Sequence, residues 1–206
     1  LSNSILSGNE NKVSSSDGIA GFGYDNIINN TSNTLISGKN QDVENVNNAT
    51  ILGGYNDVSG NTQYSLVSGF ANKEFNGEKN IVIGKWNNIK DTNTSAIFGL
   101  QNIELTGNNN LISGQENSNT NSSNALISGK DQNITNSFGS GILGLNNTET
   151  NGIANLITGD TNQVINSTQS IVTGKSQIIN TSNCSIIGGK NIQETTGSYN
   201  IISGNT

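Results

Sequence analysis

The chain has no proline, no histidine, no methionine and no arginine, and it has one cysteine. Without histidine it lacks the commonest general acid and base of enzymes. All nine cations are lysines, and the net charge is −6. Nucleic acid binding needs a basic surface, so a nucleic acid partner is excluded. An anionic membrane surface is excluded on the same ground, and this segment is expected to make no direct membrane contact. A lone Cys184 cannot form an intrachain disulfide, and free cysteine usually packs as a small buried hydrophobe. No apolar run reaches the 18 residues of a membrane-spanning helix, and no signal peptide is expected within this segment. Only 31% of the 206 residues are hydrophobic and 12% charged. Such a composition often means disorder, but disordered segments are rich in proline and charge.

What is there is a repeat. Short apolar phrases such as "LISG" at 111–114 and 126–129 and "GILG" at 141–144 return at a fixed interval. The glycine that closes each phrase serves as an anchor: Gly8, Gly23, Gly38, Gly54, Gly69, Gly84, Gly99, Gly114, Gly129, Gly144, Gly159, Gly174, Gly189 and Gly204. Twelve of the thirteen steps are 15 residues; the step from Gly38 to Gly54 is 16. Periods of this kind belong to repeat architectures.

Each position around the anchor has its own rule. Two residues before it stand Ile, Leu or Val, with Gly21 the one exception. Three before it the residues are mostly Ile or Leu. Three after it come Asn, Gln or Asp, with Ile192 the exception. Seven before it lie small or polar residues, four of them glycines: Gly77, Gly107, Gly152 and Gly197. A second apolar site recurs four to six residues after the anchor, at Val13, Val43, Val58, Phe75, Ile89, Ile103, Ile134 and Val164. Fifteen residues cannot hold a helical hairpin, β-branched residues favour strand, and Gly and Asn suit turns. Each coil therefore reads as strand, turn, shorter strand, turn. The prediction is an all-β parallel β-solenoid of about 14 coils. The asparagines should form ladders between coils spaced ~4.8 Å apart. The extra residue of the 16-residue coil is expected as a bulge near Val46.

Positions two and three before the anchor face opposite sides of a strand, and both are apolar. A strand apolar on both faces must be covered on both. The residues three and one before the anchor also compensate in volume. Phe22, Phe98 and Leu143 are paired with Ala20, Ala96 and Gly141, and elsewhere Ser, Thr or Gly is paired with Ile or Leu, except Ile81 with Ile83. Close-packed spaces demand such compensation; wet surfaces do not. One apolar face should lie inside the coil and the other against further copies of the chain.

"NSILSG", "NTLISG", "NIVIG", "SAIFG" and "NLITG", each followed by two variable residues and an Asn-type residue, resemble the head repeats of trimeric autotransporter adhesins, the YadA-like family. The resemblance covers the whole chain, 1–206, as a single head-repeat domain. It implies a left-handed parallel β-roll assembled as a homotrimer. It further implies display on the outer membrane of Gram-negative bacteria and binding to a host surface receptor or matrix protein, a CEACAM-type immunoglobulin-like receptor among them. The repeat runs from "SILSG" to "NIISG", so the chain reads as an excised segment, without the family's neck, stalk or membrane anchor. It is also richer in Asn than the family's pattern.

No enzyme is expected. The carboxylates are scattered, and none share a position at the anchor or directly after it in consecutive coils. No cofactor and no metal site are expected, because the calcium-binding Gly- and Asp-rich nonapeptide is missing. Ice binding is disfavoured because no Thr-x-Thr row recurs. The candidate receptor-binding residues are Tyr24, Tyr55, Phe70, Trp86 and Leu100, read as an outward strip just after the anchors. The other readings are a passive spacer rod that projects another binding domain, and a phage- or fibre-type structural solenoid.

Overall fold

The computed structural model describes residues 3–205. The chain is an all-β parallel β-solenoid of about 13 turns, with no helix among the described residues. It forms two compact units, one up to Leu105 and one from Thr106.

The first unit has seven five-residue strands: Ile5–Asn9, Ala20–Tyr24, Leu35–Lys39, Thr50–Gly54, Leu66–Phe70, Ile81–Lys85 and Ala96–Leu100. Each pairs in parallel with the next. The second unit repeats the plan, from Leu111–Gln115 through Leu126–Lys130 and Leu156–Asp160 to Ile201–Asn205. Three-residue strands such as Ile27–Asn29, Lys73–Phe75 and Thr148–Thr150 stack in parallel in the same way. A third line of contact was not foreseen. It consists of single bridges and two-residue pairings, such as Asp17 with Ser32, Ser123 with Phe138, and Val46–Asn47 with Thr62–Gln63.

The coil turns at three left-handed positions. In one coil these are Trp86, Asp91 and Thr94, all with φ between 53° and 59°. Asparagine fills many of them, because its short polar side chain tolerates this conformation. The anchor glycine is of a different kind. At Gly84, φ is +134°, and a Cβ there would lie 1.9 Å from the carbonyl oxygen of Gly99. At Gly159 the corresponding distance to Gly174 is 2.0 Å. No side chain fits where two coils approach so closely.

Two rows build the core. The row two before the anchor is fully buried, as at Ile36, Val67, Ile97, Ile127, Ile157 and Ile187. The row five after it points inward as well, as at Ile28, Val43, Ile89, Ile134 and Val164. Ile103 and Phe75, expected in this apolar row, face outward; their coils place Glu104 and Glu74 inside instead.

The asparagine ladder is present and does more than link side chains. The backbone N–H of Asn72 donates to Asn56 Oδ1, and that of Asn87 to Asn72 Oδ1, both at 3.1 Å. Asn87 Nδ2 also donates to Asn72 Oδ1 at 3.1 Å and to the carbonyl of Gly99 at 3.1 Å. Asn72 and Asn87 each thus satisfy a ladder partner and a strand-end carbonyl that would otherwise go unpaired.

The long coil is placed differently from the expectation. Gly38 pairs with Gly53, not Gly54, and Gly53 pairs with Gly69. Upstream register is kept through Val43 with Val58. Ser59 pairs 16 residues on with Phe75, whereas Gln63 pairs 15 on with Glu78. The extra residue therefore sits at Gly60-Asn61. Val46 is no bulge: it is buried at an ordinary corner opposite Thr62. The shift puts Ile51 rather than Leu52 inside and makes Asn56 rather than Asp57 the ladder residue.

Candidate functional site

With the core settled, the outward face of the long strands is defined. Its residues lie three and one before the anchor. Leu35, Ile81, Leu111, Leu126, Leu156, Ile171 and Ile186 are all exposed, Leu126 at 44% and Ile186 at 46%. Phe22, Ile83 and Phe98 stand beside them, also exposed. This is the face whose volumes compensate. The corrected register extends the compensation, since Leu52 now sits one before its anchor with the small Thr50 two residues earlier. A face that shows close-packing statistics yet lies open on a single chain is the main unpartnered surface of the molecule.

The candidate receptor strip resolves into two adjacent rows in the first unit. Tyr24, Phe70 and Leu100 occupy the position directly after the anchor. Tyr55 and Trp86 occupy the next position, which is left-handed: φ is 59° at both. Tyr55 therefore does not share the Phe70 row, because its anchor is Gly53. The structure brings the two together nonetheless, with ring centroids 5.0 Å apart. Lys85 Nζ lies 5.5 Å from the Phe70 ring centroid and 3.8 Å from that of Trp86. Lys39 Nζ lies 5.6 Å from the Tyr24 ring. Tyr55 and Trp86 are 46% and 47% exposed, so the cluster presents its edges to solvent while the lysines cover ring faces. Leu100 is half-buried. A hydrogen bond with Glu10 raises the ionisation point of the Tyr24 hydroxyl, so it stays protonated well above neutral pH.

Two aromatic positions carry backbone strain. A bulky residue at positive φ is a rare conformation, and such outliers collect at functional sites. The same row elsewhere holds Asp25, Asn40, Gln101, Asn146 and Asn191. Tyr64 and Tyr199, at φ 55° and 57°, show the same strain at another corner. Neither was singled out in the sequence. Phe138 and Ile153 were also missed; they are exposed on the third line of contact.

The carboxylates form small groups. Asp160 and Lys175, which share a row, pair at 3.1 Å, and bonds from Thr161 and Lys175 hold the Asp160 carboxyl below its usual range. Two residues past their anchors, Glu116 and Asp131 meet on the surface. Bonds from Gln115 and Asp131 lower Glu116, and Asp131 is raised. Two shallow surface depressions are lined by Asn30, Asn45, Asn61 and neighbours, and by Asn146, Asn162, Gln163 and neighbours; no carboxylate lines either. Among the described residues no group of His, Cys, Asp and Glu could hold a metal ion. Cys184 departs from the expectation of a buried side chain. It sits at a left-handed corner, half-exposed, with its sulfur 3.3 Å from Gln169 Oε1. The corner points the side chain away from the core.

Comparison of the chain with protein-family models and with curated proteins finds no match.

Proposed function

We propose that the chain is part of a bacterial surface adhesin head that works as a homotrimer and binds a host protein through the aromatic corner of its first unit. The observation that carries this reading is the contact group of Tyr55, Phe70, Lys85 and Trp86, with Tyr24 and Lys39 as a separate pair in earlier coils. Exposed aromatic residues beside cations are the anchors that protein interfaces use. The strain at Tyr55 and Trp86 supports a role beyond filling a turn. The open aliphatic face supports assembly: along many coils it would drive association, and a second and third copy would give it the cover that its volume pattern calls for. The threefold number, the left-handed coil and the outer-membrane setting rest on the resemblance of the repeat to YadA-like heads.

The occupant of the corner is a host receptor, with a CEACAM-type immunoglobulin-like domain the leading candidate and extracellular matrix protein the next. The test is binding of immobilised host ectodomains and matrix proteins to the chain and to a Tyr55→Ser, Phe70→Ser, Trp86→Ser variant. A loss of affinity of tenfold or more with unchanged mass supports the reading. Unchanged affinity moves the site off this corner.

A spacer rod, including a phage- or fibre-type structural solenoid, is the second reading, and one observation favours it. From Thr106 onward the same corner carries mostly small or charged residues. If neither host protein class binds, the whole chain is a spacer of this kind.

A further inference from the structure

The solenoid interior contains carboxylic acids that the surface reading does not use. Glu74, Glu104, Glu149 and Glu194 occupy the inward row five after the anchor, each at most 5% exposed. Each opens the same phrase, Glu-x-x-Gly-x-x-Asn: Glu74-Gly77-Asn80, Glu104-Gly107-Asn110, Glu149-Gly152-Asn155 and Glu194-Gly197-Asn200. The glycine makes room for the acid. A Cβ on Gly77 would lie 2.0 Å from Glu74 Oε1, one on Gly152 2.1 Å from Glu149 Oε1, and one on Gly197 1.9 Å from Glu194 Oε1. Coils with an aliphatic residue in this row carry Ser, Thr or Val at that corner, such as Thr31, Val46 and Thr92.

The acids are bonded by neutral donors. Glu74 Oε1 accepts from Asn80 Nδ2 and Ser65 Oγ, both at 2.8 Å. Glu149 Oε1 accepts from Asn155 Nδ2 at 2.7 Å and Ser140 Oγ at 3.0 Å. Glu194 takes bonds from Asn200 and Ser182. The second oxygens of Glu74 and Glu149 are buried with no hydrogen-bond partner. Their column neighbours are Val58 and Ile89, and Ile134 and Val164. Charged groups on the packed elements face away: Asp57, Lys73, Lys85 and Lys90 around Glu74, and Lys130 and Asp160 around Glu149, all reach solvent. Glu78 and Lys79 pair with each other outside at 2.6 Å. An ionised carboxylate in such a place has no cation to offset its desolvation.

We infer that the coils of Glu74 and Glu149 are proton-dependent: each closes around an uncharged glutamic acid, and loss of that proton loosens the coil. Burial raises the ionisation point of both Glu74 and Glu149 against the opposing pull of the Asn and Ser bonds. In the unfolded chain the same groups ionise in the ordinary carboxylate range. The stabilisation is therefore complete below that range and is lost as pH rises through the folded-state ionisation points. The Glu74 and Glu149 coils are tightest in acid and loosen as the pH rises.

The test is thermal unfolding of the full chain between about pH 4 and pH 9. The comparison is a Glu74→Gln, Glu149→Gln variant, in which glutamine keeps the acceptor oxygen for Asn and Ser and cannot ionise. Between the unfolded and folded ionisation points the wild-type midpoint should fall by roughly 3–5 °C per pH unit for each acid relative to the variant. Equal pH slopes in the two proteins overturn the inference. Should the variant fail to fold, infrared spectra of the wild type decide. A carbonyl band of protonated carboxylic acid that persists above the ordinary carboxylate range and is lost as the pH is raised further supports it, and complete loss of that band within the ordinary range overturns it.

Discussion

In the coils up to Leu105 the two positions after the anchor include Tyr24, Tyr55, Phe70, Trp86 and Leu100, beside polar or small residues such as Glu10, Asp25, Lys39, Asn40, Ala71, Lys85 and Gln101. In the coils from Thr106 the same positions carry Gln115 and Glu116, Lys130 and Asp131, Leu145 and Asn146, Asp160 and Thr161, and Lys175 and Ser176. The backbone at these positions is the same in both units, left-handed at the second of them. The buried rows are the same too, Ile or Val inside and an amide ladder at the strand end. Coil geometry therefore does not select the corner residues. Two of the aromatics sit there against the conformational preference of their backbone. The skeleton does not require these rings, and their left-handed positions cost it strain.

The comparison assumes that both units share one skeleton, and the largest effects test that assumption. Gly84→Ala and Gly159→Ala each place a methyl group about 2 Å from a carbonyl oxygen of the next coil. Either should cost more than ~4 kcal/mol or prevent folding, since neither backbone can yield without breaking its strand pairing. Circular dichroism during thermal unfolding reads the loss. Tolerance at one site alone would show that the units are not equivalent. Next in size, Ile97→Ala and Ile157→Ala should each cost about 2–5 kcal/mol, because both side chains are fully buried in the same row. A large gap between the two would mean that one unit is packed more loosely.

The period made much of this legible in the sequence. The anchor glycines, the two apolar rows and the amide ladder follow from composition at fixed offsets, because each coil must repeat the contacts of the last; which of the two rows lies inside does not. The long coil misled because Gly53 and Gly54 are adjacent and either can close an apolar phrase; only strand pairing distinguishes them. The buried glutamates were hidden for a different reason. A charged residue in a polar stretch reads as surface, and Phe75 and Ile103 beside them offered plausible apolar substitutes. The signal was available in the Gly and Asn at fixed distances after each Glu, which had been read as turn chemistry alone. The sequence placed Tyr55 in the row of Phe70, directly after an anchor, whereas the pairing of Gly53 moves it to the next position beside Trp86. No periodicity marks Phe138 and Ile153, so their exposure could not be anticipated.

Each unit has an outward aliphatic face, and these faces give the next effect. Leu126→Ser with Leu156→Ser removes two exposed side chains that do not touch the core rows. Stability of the isolated chain should change by no more than about 0.5 kcal/mol for each. Assembly should weaken instead, from three times 21.5 kDa towards the single-chain mass by light scattering at equal concentration. Changing Leu35 and Ile81 to Ser in the first unit should do the same. A wild-type chain that is monomeric and soluble at high concentration would remove the case for a trimer from both units at once.

The smallest effect separates the corner from the skeleton most sharply. Tyr55→Asn and Trp86→Asn replace bulky residues at φ 59° with the side chain that fills many of the left-handed corners. Asparagine relieves a left-handed penalty of order 1 kcal/mol per residue. The substitutions also remove the ring contact with Phe70 and the lysine over Trp86, which together return part of that gain. The net expectation is a rise in stability of about 0.5 kcal/mol or more for the pair, read from denaturant unfolding, together with weaker receptor binding. Opposite signs in the two measurements are what a corner kept for binding at the expense of its own fold predicts. A variant that is less stable and binds as before would mean that these rings serve the solenoid, and that the first unit differs from the second only in how it covers its turns.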